Sequence, residues 1–446
     1  MKNKFLLTFL LLVTMLQAQE QNQNYSFSLE EAINYAIEHN YASIRTAKDI
    51  DIAKQKKWET TAAGLPQINA SVDYQNNFEL QKSVVPAEFF GGNKGEFAEV
   101  AFGTRHNVTA NSRLSQIIFD GSYIVALQAA KTYLKFFENA KQKSNSEIRE
   151  MVINSYGNVL LAEESIAILE KNKATLSKTL SDTKETYKNG LIEEENVEQL
   201  QITLATLNSN LNNNKRLLDV AKKMLKYTLG ISLDAEVTLT DKLDNLSMSN
   251  ISTTFDTAGF SVDQNIDFQI AQNFEQQRTL ELKLEKSKAL PSLSANVNFG
   301  YNAFNESFAF LSQNQRWLNY SNLGVSLNVP IFSSFGRKAR TQQAKIALEQ
   351  AKIQLTETEQ QLKLQYERAK SQFDFSIEEF ATAKSNLNLA ERIETKQQVK
   401  FTEGLSSSFD FSEAQRQLYS AQQSYLQSMV DIINSKAALE KIINKN

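Results

Sequence analysis

Tyr187-Lys188-Asn189-Gly190-Leu191 returns, 214 positions later, as Phe401-Thr402-Glu403-Gly404-Leu405. Beyond each copy a seven-residue pattern begins. After the first, Val197, Leu204, Leu211, Leu218 and Leu225 recur, with Leu200, Leu207 and Ala221 on a second seam. After the second, Phe411, Leu418, Tyr425, Ile432 and Leu439 recur, with Ala414, Ala421, Ser428 and Ser435 beside them. The offset is again 214. Heptads this regular predict long paired helices in left-handed coiled-coil packing. Gly190 and Gly404 stand where each pair must reverse, as left-handed helix stops.

Working outward, Asp120 to Asn189 is interrupted after its start only by Gly157, and Ser334 to Glu403 is similarly unbroken. Seventy residues make a helix of about 105 Å. The return helices, Ile192–Leu229 and Ser406–Ile443, reach only about 57 Å. The helical stretches Leu29–Ala63 and Asp263–Lys288 make up the difference, one in each half. Pro66, Pro86, Pro291 and Pro330 all lie outside these runs. With 14 glycines and 4 prolines in 446 residues, a turn-rich sandwich or collagen-like chain is excluded.

Four segments switch to a period of two. Ile68, Ala70, Val72 and Tyr74 alternate with Asn69, Ser71, Asp73 and Gln75. Leu293, Ala295, Val297, Phe299 and Tyr301 alternate with Ser294, Asn296, Asn298, Gly300 and Asn302. Leu323, Val325, Leu327 and Val329 alternate with Asn322, Gly324, Ser326 and Asn328, and Val108 to Leu114 alternates more weakly. One reading is a sheet packed on a helical body. The other is a membrane barrel with apolar residues outside and polar ones inside. Strand length and the uniformly polar second face favour the barrel. Four strands cannot close one, so two or three chains would have to pool theirs. The loops Gln81–Gly103 and Ala303–Asn319 are aromatic, fit for the cell surface, the lipid interface or contact with each other.

Lys2 and Lys4, the apolar run Phe5–Leu16 and Leu16-Gln17-Ala18 read as a cleaved signal peptide, too short to span a bilayer. Charge is nearly balanced at a net −3, which argues against nucleic acid as a partner. Cysteine is absent, so disulfides, thiolate metal sites and a lipid-modified cysteine are excluded. His39 and His106 are the only histidines, and they hold no ligand-like spacing. No constellation supports an enzyme, and no cofactor or metal is implied.

Together these features resemble the TolC-type outer-membrane efflux and secretion channel family. The motifs that carry the resemblance are Leu65-Pro66 and Leu290-Pro291 entering the strands, Val329-Pro330-Ile331-Phe332 with Gly336 leaving them, and the paired Gly190-Leu191 and Gly404-Leu405 turns. The resemblance implies a mainly α fold with a β-barrel portion: duplicated long helical hairpins form a coiled-coil tunnel, and four strands per chain enter a twelve-stranded trimeric barrel. The chain then divides into a signal peptide (1–18), a first repeat (19–262) and a second repeat (263–446). The first holds strands at about 66–80 and 104–118, a hairpin at 120–229 and an equatorial segment at 231–262. The second holds strands at about 291–302 and 320–331 and a hairpin at 334–443. The implied partners are two further copies of the chain, outer-membrane lipid, a periplasmic adaptor and an inner-membrane RND or ABC transporter. The location is the outer membrane, reaching into the periplasm. A secreted coiled-coil scaffold or adhesin without a pore is the rival.

A duct performs no bond chemistry, so its functional residues are a gate, a lining and a docking surface. Asp410 and Glu413 share one helix face beyond the Gly404 turn, on a stripe continued by Gln417, Ser420, Ser424, Gln427, Asp431 and Asn434. They match the family's acidic constriction ring; taken alone, such an acidic pair reads better as a solvated outer face. Asn196 and Ser406 stand where the best-known member has an aspartate and an arginine. That salt-bridge lock cannot form here, and closure falls to hydrogen bonds and packing. Glu193-Glu194-Glu195 is a second acidic belt or a set of first-turn acids favoured by the helix dipole. Gly190, Leu191, Gly404 and Leu405 are the adaptor-docking candidates, since an apolar tip on a polar hairpin suits a partner.

Overall fold

The computed structural model describes residues 24–251 and 260–443. The signal-peptide reading lies outside them, as do residues 252–259 of the segment read as equatorial. In chain order the elements are β1 (Asn24–Phe27), α1 (Leu29–His39), α2 (Tyr41–Ala62), β2 (Gln67–Asn76), β3 (Lys82–Pro86), β4 (Phe97–Ala101), β5 (His106–Asp120), α3 (Gly121–Lys188), α4 (Glu194–Leu229), β6 (Glu236–Leu239), α5 (Leu243–Ile251), α6 (Ile266–Ser287), β7 (Ser292–Asn305), β8 (Trp317–Asn328), α7 (Gly336–Thr402) and α8 (Ser408–Ile443). The long helices α3 and α7 run for 68 and 67 residues, and α4 and α8 for 36 each. The chain forms two compact units.

One unit comprises Met1–Ile50, Phe137–Gln272 and Gln354–Asn446. Many of its buried positions are heptad positions, while Leu204, Leu218 and Tyr425 are half-buried. Val197, Leu200, Leu207, Leu211 and Leu225 are buried on α4, and Phe411, Ala414, Leu418, Ile432 and Leu439 on α8. Near the hairpin turns Leu176, Leu180, Val197, Leu200, Leu207 and Phe411 make one cluster. A larger core holds Ile148, Val152, Tyr156, Leu225, Leu229, Met429, Val430 and Ile432. Each fully buried leucine here stabilises by about 2 kcal/mol.

The helical stretch expected over Leu29–Ala63 breaks at Asn40, whose backbone is extended (ψ 139°). Its Nδ2 donates to the Thr228 carbonyl (2.6 Å), and its Oδ1 accepts from the Ala42 N–H (2.8 Å), starting α2 afresh. Gly230 touches this break. It is left-handed (φ 79°), and a Cβ there would fall 2.2 Å from the His39 carbonyl oxygen. The N-terminal segment also contributes a strand that sequence reading left out: β1 pairs in parallel with β6 from Asn24↔Glu236 to Phe27↔Leu239. Tyr156 pins this pair. Its hydroxyl lies 3.0 Å from both the Phe27 carbonyl and Asp241 Oδ2, and Asp241 also accepts the Leu29 N–H at 2.7 Å.

The other unit, Asp51–Phe136 with Asn273–Ile353, holds an antiparallel sheet in the order β2-β5-β7-β8. Leu293, Val297 and Leu323 alternate along it as their spacing predicts. The segment with the weakest alternation, Val108–Leu114, lies within a 15-residue central strand. There, hydrogen bonding to β2 on one side and β7 on the other fixes the strand without help from side-chain pattern. The two aromatic loops differ. Phe308 and Phe310 pack edge-on against Tyr74, which stacks on His106 and shares a 2.8 Å hydrogen bond with its Nδ1. The other loop folds into its own hairpin, β3–β4, with Phe89, Phe90 and Phe97 exposed. Among the described residues no helix is long and apolar enough to cross a membrane.

Candidate functional site

Both hairpin turns are built alike. Gly190 and Gly404 have φ of 73° and 71°, with open space around the position of a Cβ, so glycine is required for its backbone and not for room. Gly190 N–H bonds the Tyr187 carbonyl (2.8 Å) and Leu191 N–H the Thr186 carbonyl (3.2 Å). Gly404 and Leu405 repeat this with Phe401 (3.1 Å) and Lys400 (2.8 Å). These are two Schellman stops. They leave Leu191 and Leu405 projecting, 74% and 77% exposed.

Asp410 belongs first to its own helix start. The Asp410 N–H donates to Ser407 Oγ at 3.1 Å and the Ser407 N–H to Asp410 Oδ2 at 3.4 Å, a capping box with aspartate in the glutamate position, and Ser407 Oγ also donates to Asp410 Oδ2 at 2.8 Å. Hydrogen bonds from the Ser407 hydroxyl and backbone hold the Asp410 carboxyl below the usual carboxylate range, with Ser406 and Lys400 adding to the effect. Glu413 lies on the same face, as the spacing predicts, but Arg416 forms an ion pair with it. This cation, three residues along the same helix, moderates the acidic pair.

Asn196 makes the cross-hairpin contact. Its Oδ1 accepts the Ser408 backbone N–H at 3.2 Å, so a residue of α4 satisfies a free donor at the start of α8. Two turns further on, Thr203 Oγ1 and Ser412 Oγ meet at 3.2 Å. Ser408 and Ser412 are buried, and sequence reading missed both. The available signal was their position: serines four apart, flanking a heptad phenylalanine. Deeper on α8, Gln415 is 2% exposed, and its Oε1 has no partner. Burial pushes the Glu394 carboxyl up, opposed by a hydrogen bond with Gln415. Burial, reinforced by Glu394, pushes the Tyr419 hydroxyl up.

In the sheet the register separates a mainly apolar face from a mainly polar one, on which Ile117 and Leu318 are the aliphatic exceptions. Ile68↔Leu114↔Val297↔Leu323 is one cross-strand row, and Asn69↔Arg113↔Asn298↔Asn322 is the next. On the apolar face Val72 and Leu323 are 73% and 71% exposed. Its polar interruptions are Ser112, Gln116, Asn319 and Ser321, with Asn76, His106 and Asn305 at the loop end. The opposite face is amide-rich. Asn298 Nδ2 donates to Asn322 Oδ1 and to Asn296 Oδ1, both at 2.9 Å, and its charged strand residues are Asp73, Arg113 and, at the helix end of β5, Asp120. The outer edges of β2 and β8 are unpaired among the described residues.

Residues 261–445 match the family model described as outer membrane efflux protein. Three solved structures share the architecture over 93% of the chain. The CmeC outer membrane channel of Campylobacter jejuni is 16% identical, is covered over 85% of its own length and superposes with a TM-score of 0.73. CusC, a protein that forms a transmembrane channel, is 15% identical over 92% of its length (TM-score 0.73). VceC, an outer membrane protein of Vibrio cholerae, is 16% identical over 95% (TM-score 0.70). The fold is that of the TolC-type channels. No curated protein matches the chain by sequence. A TolC-type subunit is mainly helical, with a helical tunnel portion and a barrel portion. In this chain the long hairpins α3–α4 and α7–α8 and the four-stranded sheet are the corresponding parts.

Proposed function

We propose that the protein is the outer-membrane exit duct of a tripartite efflux or type I secretion system. Three copies pool their strands into a twelve-stranded barrel and their hairpins into a periplasmic tunnel. The observation that carries this is the sheet: one face apolar and exposed, the other amide-lined, and both edges open. In lipid an unpaired edge costs several kcal/mol per backbone group, and four strands are too few to close on themselves. Edges β2 and β8 therefore pair with those of neighbouring copies, and the polar face becomes a wet lumen.

The duct itself supplies no energy. A periplasmic adaptor engages Gly190-Leu191 and Gly404-Leu405, and an inner-membrane RND or ABC pump drives the cargo. Asp410 and Glu413 ring the narrow end, their charge moderated by Arg416. Asn196 keeps the two hairpins together through the Ser408 N–H, a neutral link that does the work of a salt bridge. A secreted coiled-coil scaffold is the rival reading, and single-channel recording of the detergent-purified oligomer in a planar bilayer separates the two. A small, stable, cation-preferring conductance is expected. Protein that stays soluble without detergent and carries no current overturns the duct and leaves the scaffold.

A further inference from the structure

The polar face of the sheet carries two aromatic residues, Phe304 at its loop end and Tyr320 within it. Strand side chains ordinarily stand roughly perpendicular to the sheet. Tyr320 does not. It occupies the row Ser71↔Asn111↔Gly300↔Tyr320, and its ring lies down over Gly300. A Cβ at 300 would fall 2.7 and 2.8 Å from Cζ and Cε1 of the ring, and 2.7 Å from the Ala110 carbonyl oxygen. The hydroxyl passes beyond β7 and donates to Asn111 Oδ1 on β5 at 3.2 Å. One side chain thus bridges three strands, with Gly300 buried beneath it. Gly300 is the only position on this face of β7 without a side chain. It lies directly opposite the only aromatic residue on this face of β8.

We propose that Tyr320 is a bore-setting residue of the channel. The gap at Gly300 and the tether to Asn111 park its ring flat against the wall, and the width of the exit for bulky cargo depends on that parking. The inference rests on reading the sheet as part of a barrel. In a trimer three rings lie at the same level. Any change that lifts them places three phenol groups in the lumen together, and lining bulk governs which solutes pass a pore.

The chain contains no cysteine, so Ser326→Cys, three rows nearer the helices on the same face, is a unique thiol. It is labelled from outside intact cells with a small maleimide and with a bulky polymer-linked maleimide. The small reagent is expected to react at the same rate in every variant. The bulky reagent is expected to react about tenfold more slowly when Gly300→Ala is added. Adding Tyr320→Ser to that variant should restore the rate. Asn111→Ala and Tyr320→Phe keep the glycine and remove only the tether. Each should slow the bulky reagent by a smaller factor, and they carry the test if crowding at the Ala110 carbonyl prevents Gly300→Ala from folding. Equal bulky-reagent rates in the parent, Asn111→Ala and Tyr320→Phe overturn the proposal. If the small reagent fails to reach the parent cysteine, the barrel reading falls, and this inference falls with it.

Discussion

The two hairpin turns stop their incoming helices identically and start their outgoing helices differently. Gly190 and Gly404 share left-handed backbones and the same pair of capping bonds. At the next helix start, Glu193 caps α4 with no side-chain hydrogen bond, whereas Ser407 and Asp410 close a capping box on α8. A positive φ has one inexpensive solution, glycine, so the duplicated halves keep it. A free N–H has many acceptors, so the starts diverged. The first half gives its polar side chain, Asn196, to the other hairpin. The seams diverged as well: Phe411, buried and stacked on Phe401 with ring centres 5.4 Å apart, occupies the place of Val197, while Tyr187, the counterpart of Phe401, is partly exposed.

The largest expected effect sharpens the seam comparison. Phe411→Ala should cost about 3–5 kcal/mol and Val197→Ala about 1.6 kcal/mol, read as local opening by hydrogen exchange. Equal losses would mean that the two hairpins share their packing load evenly.

Next come the stops. Gly190→Ala and Gly404→Ala should each cost about 1–2 kcal/mol, since only the left-handed backbone resists them. A marked inequality between them would break the identity of the two turns.

The starts come third. Ser407→Ala should destabilise the first turn of α8 by about 1 kcal/mol, while Glu193→Ala leaves α4 almost unchanged. The capping box also has a pH signature. Because folding lowers the Asp410 pKa, its contribution is whole above the ordinary carboxylate range and is lost as pH falls through the lowered value. Asp410→Asn should flatten that acid dependence in exchange at Ser408–Phe411, and a profile unchanged by the substitution would remove Asp410 from the cap.

The smallest effect concerns charge at the tip. Asp410→Ala with Glu413→Ala should lower the cation preference roughly threefold and relieve block by multivalent cations, while Arg416→Ala raises the preference. Unchanged selectivity in the double variant would leave these carboxylates as helix-start and surface groups only.

Much of the fold is legible in the sequence, because the features that fix it are local and repeat. Heptad positions such as Leu200 and Ile432 are buried because periodicity alone puts them on one helix face, and Asn298 and Val297 separate because a strand turns alternate residues over. The two glycine stops follow from the same local logic. What the sequence left open depends on residues meeting across long separations. That Arg416 neutralises Glu413 could have been read three residues away. That Asn196 caps α8, that Thr203 meets Ser412 and that β1 pairs with β6 could not, since each joins segments about 210 residues apart. Tyr320 is the clearest case. Its place on the polar face was fixed by alternation, but only the register of three strands brought Gly300 beneath its ring and Asn111 within reach of its hydroxyl. A single polar side chain carries no periodic signal, and only the assembled backbone decides which partner it finds.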